Sequence, residues 1–250
     1  VSPTGEQLAY TDAYARSIEA RVIAVESGDL LTLVLDRTVF YPGGGGQPSD
    51  RGLILRTSDG RSWTVRGARK SGGEVVHELE PSDGDPPAPG EVVRVELDWA
   101  RRLALMRTHT ALHALCGVVW RDYGALVTGG NMEPGSGRMD FEFERMSGDL
   151  VDAIEATVNT ELAAEHDVRV NVLPRAEAFA IPDLIRTKIN LLPEGIEEIR
   201  TIEIVGLDLQ ADGGTHVANT REVGQIHVTG YESKGRINKR IRIELVDPVA

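Results

Sequence analysis

Residues 98–124, DWARRLALMRTHTALHALCGVVWRDYG, mark the point at which the chain changes character. Leu105, Leu112, Leu115 and Val119 recur at helical spacing and alanine is frequent, so a helix is expected over about 101–121. Upstream the pattern is different. RVIAVE (21–26) and LLTLVLD (30–36) flank the turn signal SGD, which reads as a hairpin. GLILRTSDGRSWTVRG (52–67) repeats the arrangement around SDG, and GEVVHELE (73–80) and GEVVRVELDW (90–99) add two further strands. Short strands with close turns predict a small barrel or sandwich. PSDGDPPAPG (81–90) reads as a loop, because strand pattern resumes directly after it.

Downstream, SGDLVDAIEATVNTELAAEH (147–166) predicts a second helix, with Ser147 as N-cap and Leu150, Ile154, Val158 and Leu162 along one face. IRTIEIVG (199–206) and the pair GQIHVTGYE (224–232) and GRINKRIRIELV (235–246) read as strands. The domain boundary is therefore expected near residue 100, with a β-rich domain over 1–100 and an α+β domain over 101–250.

With 250 residues, 41% hydrophobic and 26% charged, the composition is that of a globular protein. No apolar run approaches the roughly 18–20 residues of a membrane span, and VSPTGEQLAYTDAYARS at the start lacks the pattern of a signal peptide. A single cysteine, Cys116, forbids an internal disulfide and fits a reducing cytoplasm. The net charge of −12 argues against a general nucleic-acid coat, yet YESKGRINKRIR (231–242) concentrates Lys234, Arg236, Lys239, Arg240 and Arg242.

Of the six histidines, His109 and His113 stand four apart on the expected helix. Side chains at that spacing share a face, so the pair is either a bidentate metal clamp or a helix surface pair. His216, in ADGGTHV (211–217), offers a third nitrogen. Asp212 is the natural fourth donor, or else it only begins an Asx-type turn; both readings stand. Cys116 lies too far along the helix from His109 to share one ion with it and reads as a small core residue. His77, His166 and His227 have no evident partner and are assigned structural or surface roles. The loop FYPGGGGQPSDRG (40–52) presents Gly43, Gly44, Gly45 and Gly46, then Gln47 and Asp50; it is either an anion-binding nest or a flexible link.

Five stretches in one order, FYPGGGGQPSDRG, RTHTALHAL (107–115), GRMDFEF (137–143), ADGGTHVANTREVG (211–224) and SKGRINKRIRIEL (233–245), resemble the AlaX family. These are freestanding relatives of the alanyl-tRNA synthetase editing domain, similar also to that of threonyl-tRNA synthetase. The likeness runs from about residue 35 to the end and follows the medium-length members. It implies a small N-terminal β-barrel followed by an α+β editing core, and a deacylase acting in trans on misacylated tRNA, with serine on an alanine tRNA first and a threonine-like or non-proteinogenic residue as the other candidate. It implies one Zn2+ held by a His-x-x-x-His pair and a Cys-x-x-x-His pair. His109, His113 and His216 match, as metal ligands and catalytic residues, while Asp212 stands where the family has cysteine. That exchange puts a harder donor in the set.

A second sieve is useful because serine, glycine and alanine differ too little for one site to separate them. Thr108, Thr128 and Thr215, with Gly43–Gly46 and Gln47, are candidate substrate contacts. Arg138 and Asp140 match the family's strand pattern, as substrate contacts or as a structural ion pair. Lys234, Arg236, Lys239 and Arg240 are the expected tRNA contacts, or else a charged hairpin edge that discourages pairing. No membrane and no obligate protein partner are expected. Two other functions fit the same motifs, a metal-dependent hydrolase of small amino-acid esters or amides, and a non-catalytic tRNA-binding module.

Overall fold

The computed structural model describes residues 5–82, 85–187 and 195–247. The chain divides into two compact units, Val1–Leu103 and Ala104–Ala250.

Six antiparallel strands close the first unit into a barrel: β1 (Ser17–Ser27), β2 (Leu31–Leu35), β3 (Gly52–Arg56), β4 (Ser62–Ser71), β5 (Glu74–Leu79) and β6 (Val92–Leu97). Their order is β1-β2-β5-β4-β3-β6, with β6 pairing back onto β1. The sequence alternation sets which side chains point in: Trp63 and Val65 of β4, and Val93 and Val95 of β6, are buried with Leu33, Ile54 and Leu79. Closure is tight at Gly52, where a Cβ would lie 2.0 Å from the Glu96 carbonyl oxygen across the β3–β6 seam. Gln7 and Glu6 form a short parallel pairing with Thr38 and Arg37 beside the barrel. Of the loop 81–90, residues 83 and 84 lie outside the described residues.

Helix α1 (Trp99–Tyr123) begins two residues earlier than expected, because Asp98 accepts a hydrogen bond from the Arg101 amide at 3.1 Å and caps it. Residues 108 to 119 are all buried, so the helix shows no polar face over that stretch. Strands β7 (Val127–Glu133) and β8 (Ser136–Glu142) follow, then helix α2 (Gly148–Ala163). Ser147 caps α2 by accepting from the Leu150 amide, as expected. The buried stripe is Val151, Ile154, Val158 and Leu162; Leu150, expected in it, is half-buried one position off the stripe.

The remaining elements are β9 (Val168–Pro174), α3 (Arg175–Ala180), β10 (Glu198–Ile204), β11 (Asp208–Ala211), β12 (Gln225–Ser233) and β13 (Asn238–Val246). They complete two sheets, ordered β12-β13-β8-β7 and β9-β10-β11. Helix α2 is tied to β12 by Asn159, whose amide group exchanges two hydrogen bonds with the backbone of Ile226. Strands β7, β9 and β11 and helix α3 were not foreseen. β11 spans only four residues, too short to be recognised, whereas VRVNV (168–172) in β9 alternates as a strand does, although four of its residues in succession are exposed. No helix among the described residues is long and apolar enough to cross a membrane.

Candidate metal centre

Helix α1 supplies His109 and His113, and the loop leaving β11 supplies Asp212 and His216. One donor atom from each of the four falls within 4.8 Å of every other. The Nε2 atoms of His109 and His113 lie 3.6 and 4.0 Å from Asp212 Oδ1, and His216 Nε2 lies 3.2 Å from Asp212 Oδ2. Three imidazoles therefore aim the same ring nitrogen at one carboxylate. Both α1 histidines are 5% exposed, which excludes the surface-pair reading.

At Asp212 the Asx turn and a place among the histidines coexist, so the turn reading does not take the carboxylate out of the donor group. Its Oδ2 accepts from the Gly214 amide, two residues on, closing an Asx turn, while Oδ1 faces the helix. Neither Gly213 nor Gly214 has a positive φ, and a Cβ on Gly213 would meet nothing within 4 Å. Open space beside the carboxylate, rather than backbone strain, is what the glycine at 213 provides.

Burial pulls the imidazoles of His109, His113 and His216 below the ordinary histidine value, His216 well below it. Burial pushes Asp212 the other way, but the three surrounding imidazoles outweigh it and hold the carboxyl well below its usual range.

Three neighbours that ligand spacing does not single out orient these groups. Thr110 Oγ1 stands 3.2 Å from His216 Nδ1 and accepts from the Val217 amide at 3.3 Å. Arg200 donates to the Asp212 carbonyl at 3.1 Å and stands 4.0 Å from its Oδ2. Asp208, fully buried in β11, places Oδ2 3.7 Å from His113 Nδ1. Thr110 lies between the two motif histidines in THTALH, and that adjacency was the one available signal.

The other candidate residues fall elsewhere. Thr108 donates to the Ala104 carbonyl and accepts from the Gly135 amide, which fastens α1 to the β7–β8 turn. Thr128 is exposed and donates to Asn238 Oδ1, whereas Thr215 is fully buried next to His216. Asp140 pairs across the β8–β13 ladder with Arg240 through two contacts of 2.7 and 2.8 Å, and with Arg138 at 3.3 Å. The ion-pair reading of Arg138 and Asp140 is thus the one the geometry realises. Lys239 is 5% exposed, its ammonium donating to the carbonyls of Gly235 and Arg236, and so it and Arg240 are engaged internally. Lys234 and Arg236 remain exposed. Arg236 also borders an open cleft of about 780 Å3 beside the N-terminus of α2, together with Arg145, Met146 and Ser147.

In the barrel unit the glycine run is a defined turn rather than a flexible link. Gly43 to Gly46 have φ of 83, 138, 59 and 87°, and Gly44 and Gln47 exchange both backbone hydrogen bonds at 3.0 Å. The Gly44 amide is thereby engaged, which removes it from an anion nest. Asp50 closes the loop by accepting from the Tyr41 amide and binding Arg102, the two side chains 1% and 0% exposed. His77 and Cys116 are buried core groups; His166 pairs with Glu161 beyond the end of α2, and His227 with Glu155. Burial pushes the Cys116 thiol far up, so it remains protonated.

The family of class II (A) tRNA synthetases matches residues 8–101, and the threonyl and alanyl tRNA synthetase second additional domain matches residues 199–242. An alanyl-tRNA editing protein AlaX-M of Methanosarcina acetivorans is 36% identical over 245 residues, covering 97% of this chain and 99% of its own length. The chain belongs to the AlaX-M family of alanyl-tRNA editing proteins. An AlaX-M protein of Saccharolobus solfataricus is 35% identical over 236 residues, 94% of this chain and 97% of that one. The likeness extends beyond AlaX-M to an alanine–tRNA ligase of Pyrobaculum neutrophilum, 36% identical over 92% of this chain but only 26% of the ligase.

Proposed function

We propose that this AlaX-M protein is an aminoacyl-tRNA deacylase that acts in trans, with its reaction centre at His109, His113, Asp212 and His216. The observation that carries the assignment is the convergence of three buried histidines and one half-buried carboxylate within 4.8 Å in a chain of this family. Water and the ester joining an amino acid to the tRNA 3′ end yield free amino acid and a 3′ hydroxyl. Serine on an alanine tRNA is the first substrate. The cytoplasm is its place of action, where aminoacyl-tRNA is made.

The residues fit one Zn2+. Imidazole nitrogen and carboxylate oxygen are ordinary zinc donors, and tetrahedral donors around the ion stand about 3.3 Å apart. Distances of 3.2 to 4.0 Å between Asp212 and the three Nε2 atoms are near that value. When bound, zinc supplies Lewis acidity at the ester and acidifies a water. The chain's own groups do the rest of the orientation. Thr110 fixes the His216 ring, the Gly214 amide fixes the Asp212 carboxylate, and Arg200 holds the Asp212 backbone carbonyl. The open space at Gly213 admits the substrate's 3′ end beside Asp212. Arg236 and Lys234 are the exposed groups of the basic segment that meet tRNA phosphates, Lys234 in exchange for its contact with Glu232 at 3.6 Å.

The test is release of amino acid from a panel of seryl-, glycyl-, alanyl- and threonyl-tRNA, with metal content measured on the same preparation. Seryl-tRNA(Ala) is expected to be hydrolysed, and His109→Ala and His216→Ala to abolish it. Unchanged release in both variants refutes the site. Hydrolysis of small seryl esters without any on tRNA would instead identify a small-ester hydrolase.

A further inference from the structure

We propose that Asp208 is a positioning residue for this centre: it receives the Nδ1 proton of His113 and so aims His113 Nε2 at the metal, and Gly117 is the residue that lets it approach. The inference rests on the reading of the four donors as a metal site.

The two nitrogens of His113 face two different carboxylates. Nε2 points to Asp212, the acid shared by all three histidines, whereas Nδ1 points to Asp208 Oδ2 at 3.7 Å. A neutral imidazole carries its proton on one nitrogen and a lone pair on the other. An acceptor on the δ side therefore selects the tautomer whose lone pair faces the centre. His216 obtains the same service from the Thr110 hydroxyl, but Asp208 is the one acid among the described residues placed to do it for His113. A carboxylate there also makes the ligand nitrogen more basic.

A fully buried carboxylate is costly unless it is paired, so its position requires a cause. Gln210 donates to Oδ2, and Arg186 Nε stands 3.5 Å from Oδ1. Arg186 is itself held elsewhere, over the Trp120 ring at 4.9 Å and on the Asp183 carbonyl. Four buried side-chain atoms among the described residues lack a hydrogen bond, and three of them belong to this row: His113 Nδ1, Asp208 Oδ1 and Arg186 Nε. Each gap exceeds hydrogen-bond length by only a few tenths of an ångström. Shifts of that size close the row from Arg186 through Asp208 to His113.

Gly117 supplies the independent observation. It sits one turn after His113 in the interior of α1, where glycine costs about 1 kcal/mol relative to alanine. A Cβ there would lie 2.9 Å from Asp208 Cβ and 3.0 Å from Leu207 Cγ. The helix thus gives up propensity at the position where Asp208 packs against it.

The experiment measures zinc affinity of the full chain by competition with a chromophoric chelator, for wild type, Asp208→Asn and Gly117→Ala. Loss of a carboxylate behind a ligating histidine lowers metal affinity about 10- to 100-fold. That loss is expected for Asp208→Asn, and a smaller one in the same direction for Gly117→Ala, which keeps every donor but displaces Asp208. Cobalt-loaded Asp208→Asn is expected to show shifted visible bands, a readout that a purely structural role would leave in place. Gly117→Ala carries the test if Asp208→Asn does not fold. Wild-type zinc affinity in both variants, within two-fold, overturns the role of Asp208 and leaves the metal reading standing. A wild type with no zinc affinity overturns both.

Discussion

Acidification from pH 7 to pH 4 is expected to remove about 3 kcal/mol of stability through one side chain, His77 in β5. The ring is 0% exposed inside the barrel unit. Its Nδ1 lies 3.1 Å from the Leu33 carbonyl oxygen, which can only accept, so Nδ1 carries the proton. Nε2 then accepts from the Thr38 hydroxyl at 2.8 Å, and the Thr38 oxygen in turn accepts from the Phe40 amide at 3.1 Å. The neutral ring is satisfied at both nitrogens, and a second proton would have no acceptor waiting for it. Burial accordingly pulls its pKa down from 6.5 to about 4, with the bond to Leu33 opposing. Because the folded value is the lower one, the unfolded chain takes the proton first as pH falls. The contribution is complete above pH 6.5 and disappears as pH drops through 4. The gap, at about 1.4 kcal/mol for each pH unit, amounts to about 3 kcal/mol. Urea unfolding followed by far-ultraviolet circular dichroism at pH 7, 5.5 and 4, on wild type and His77→Gln, isolates the contribution from other titrating groups. The wild type is expected to lose about 3 kcal/mol more than the variant across that range. A difference in loss below about 1 kcal/mol refutes the argument.

Two further outcomes follow from the geometry. Asp50→Ala leaves the fully buried Arg102 without its carboxylate and is expected to destabilise the barrel unit by about 3–5 kcal/mol in urea melts. Arg236→Ala is expected to weaken tRNA binding and to lower the slope of log affinity against log salt by about 1, measured by fluorescence anisotropy, without altering hydrolysis of a small seryl ester.

The barrel strands were legible because inward and outward positions alternate, as in SWTVRG, where Trp63 and Val65 are in and Thr64 and Arg66 are out. Helix α1 was legible for a different reason: its apolar spacing persists from Leu105 to Val119, about four turns. β9 carries the same alternation in VRVNV (168–172) and was legible on that ground, yet its valines bury little, Val170 and Val172 being exposed at 45% and 53%, and its pairing with β10 holds it in place. The basic segment shows the limit of counting charges. Five cations stand together in sequence, but alternation along β13 turns Lys239 inward, and cross-strand register delivers Arg240 to Asp140. A charge count sees five contacts for tRNA where the ladder leaves two of the four named candidates at the surface.

Spacing offered the four candidate donors, an i and i+4 pair on a helix and another on a glycine-rich loop, but it left each pair with a second reading; the resemblance to the AlaX family joined them into one set. Its supporting residues were not, because their partnerships are made across elements. Asp208 precedes Asp212 by four residues, yet the two acids act on opposite nitrogens of His113. Nothing in the spacing tells the two acids apart; the directions in which β11 and the loop leaving it present their carboxylates do. The exchange of sulfur for oxygen at Asp212 acquires its meaning from the same comparison. A thiolate in the family's position does not close an Asx turn as a carboxylate does with the Gly214 amide, so here the candidate donor also shapes its own loop. Asp212→Cys would therefore restore the family's softer donor while opening the turn that now holds position 212 against the histidines. Zinc affinity and loop order are expected to move in opposite directions in that variant, the first upward in the chelator competition and the second downward in hydrogen exchange at Gly214. Unchanged exchange at Gly214 would show that the turn does not depend on the carboxylate.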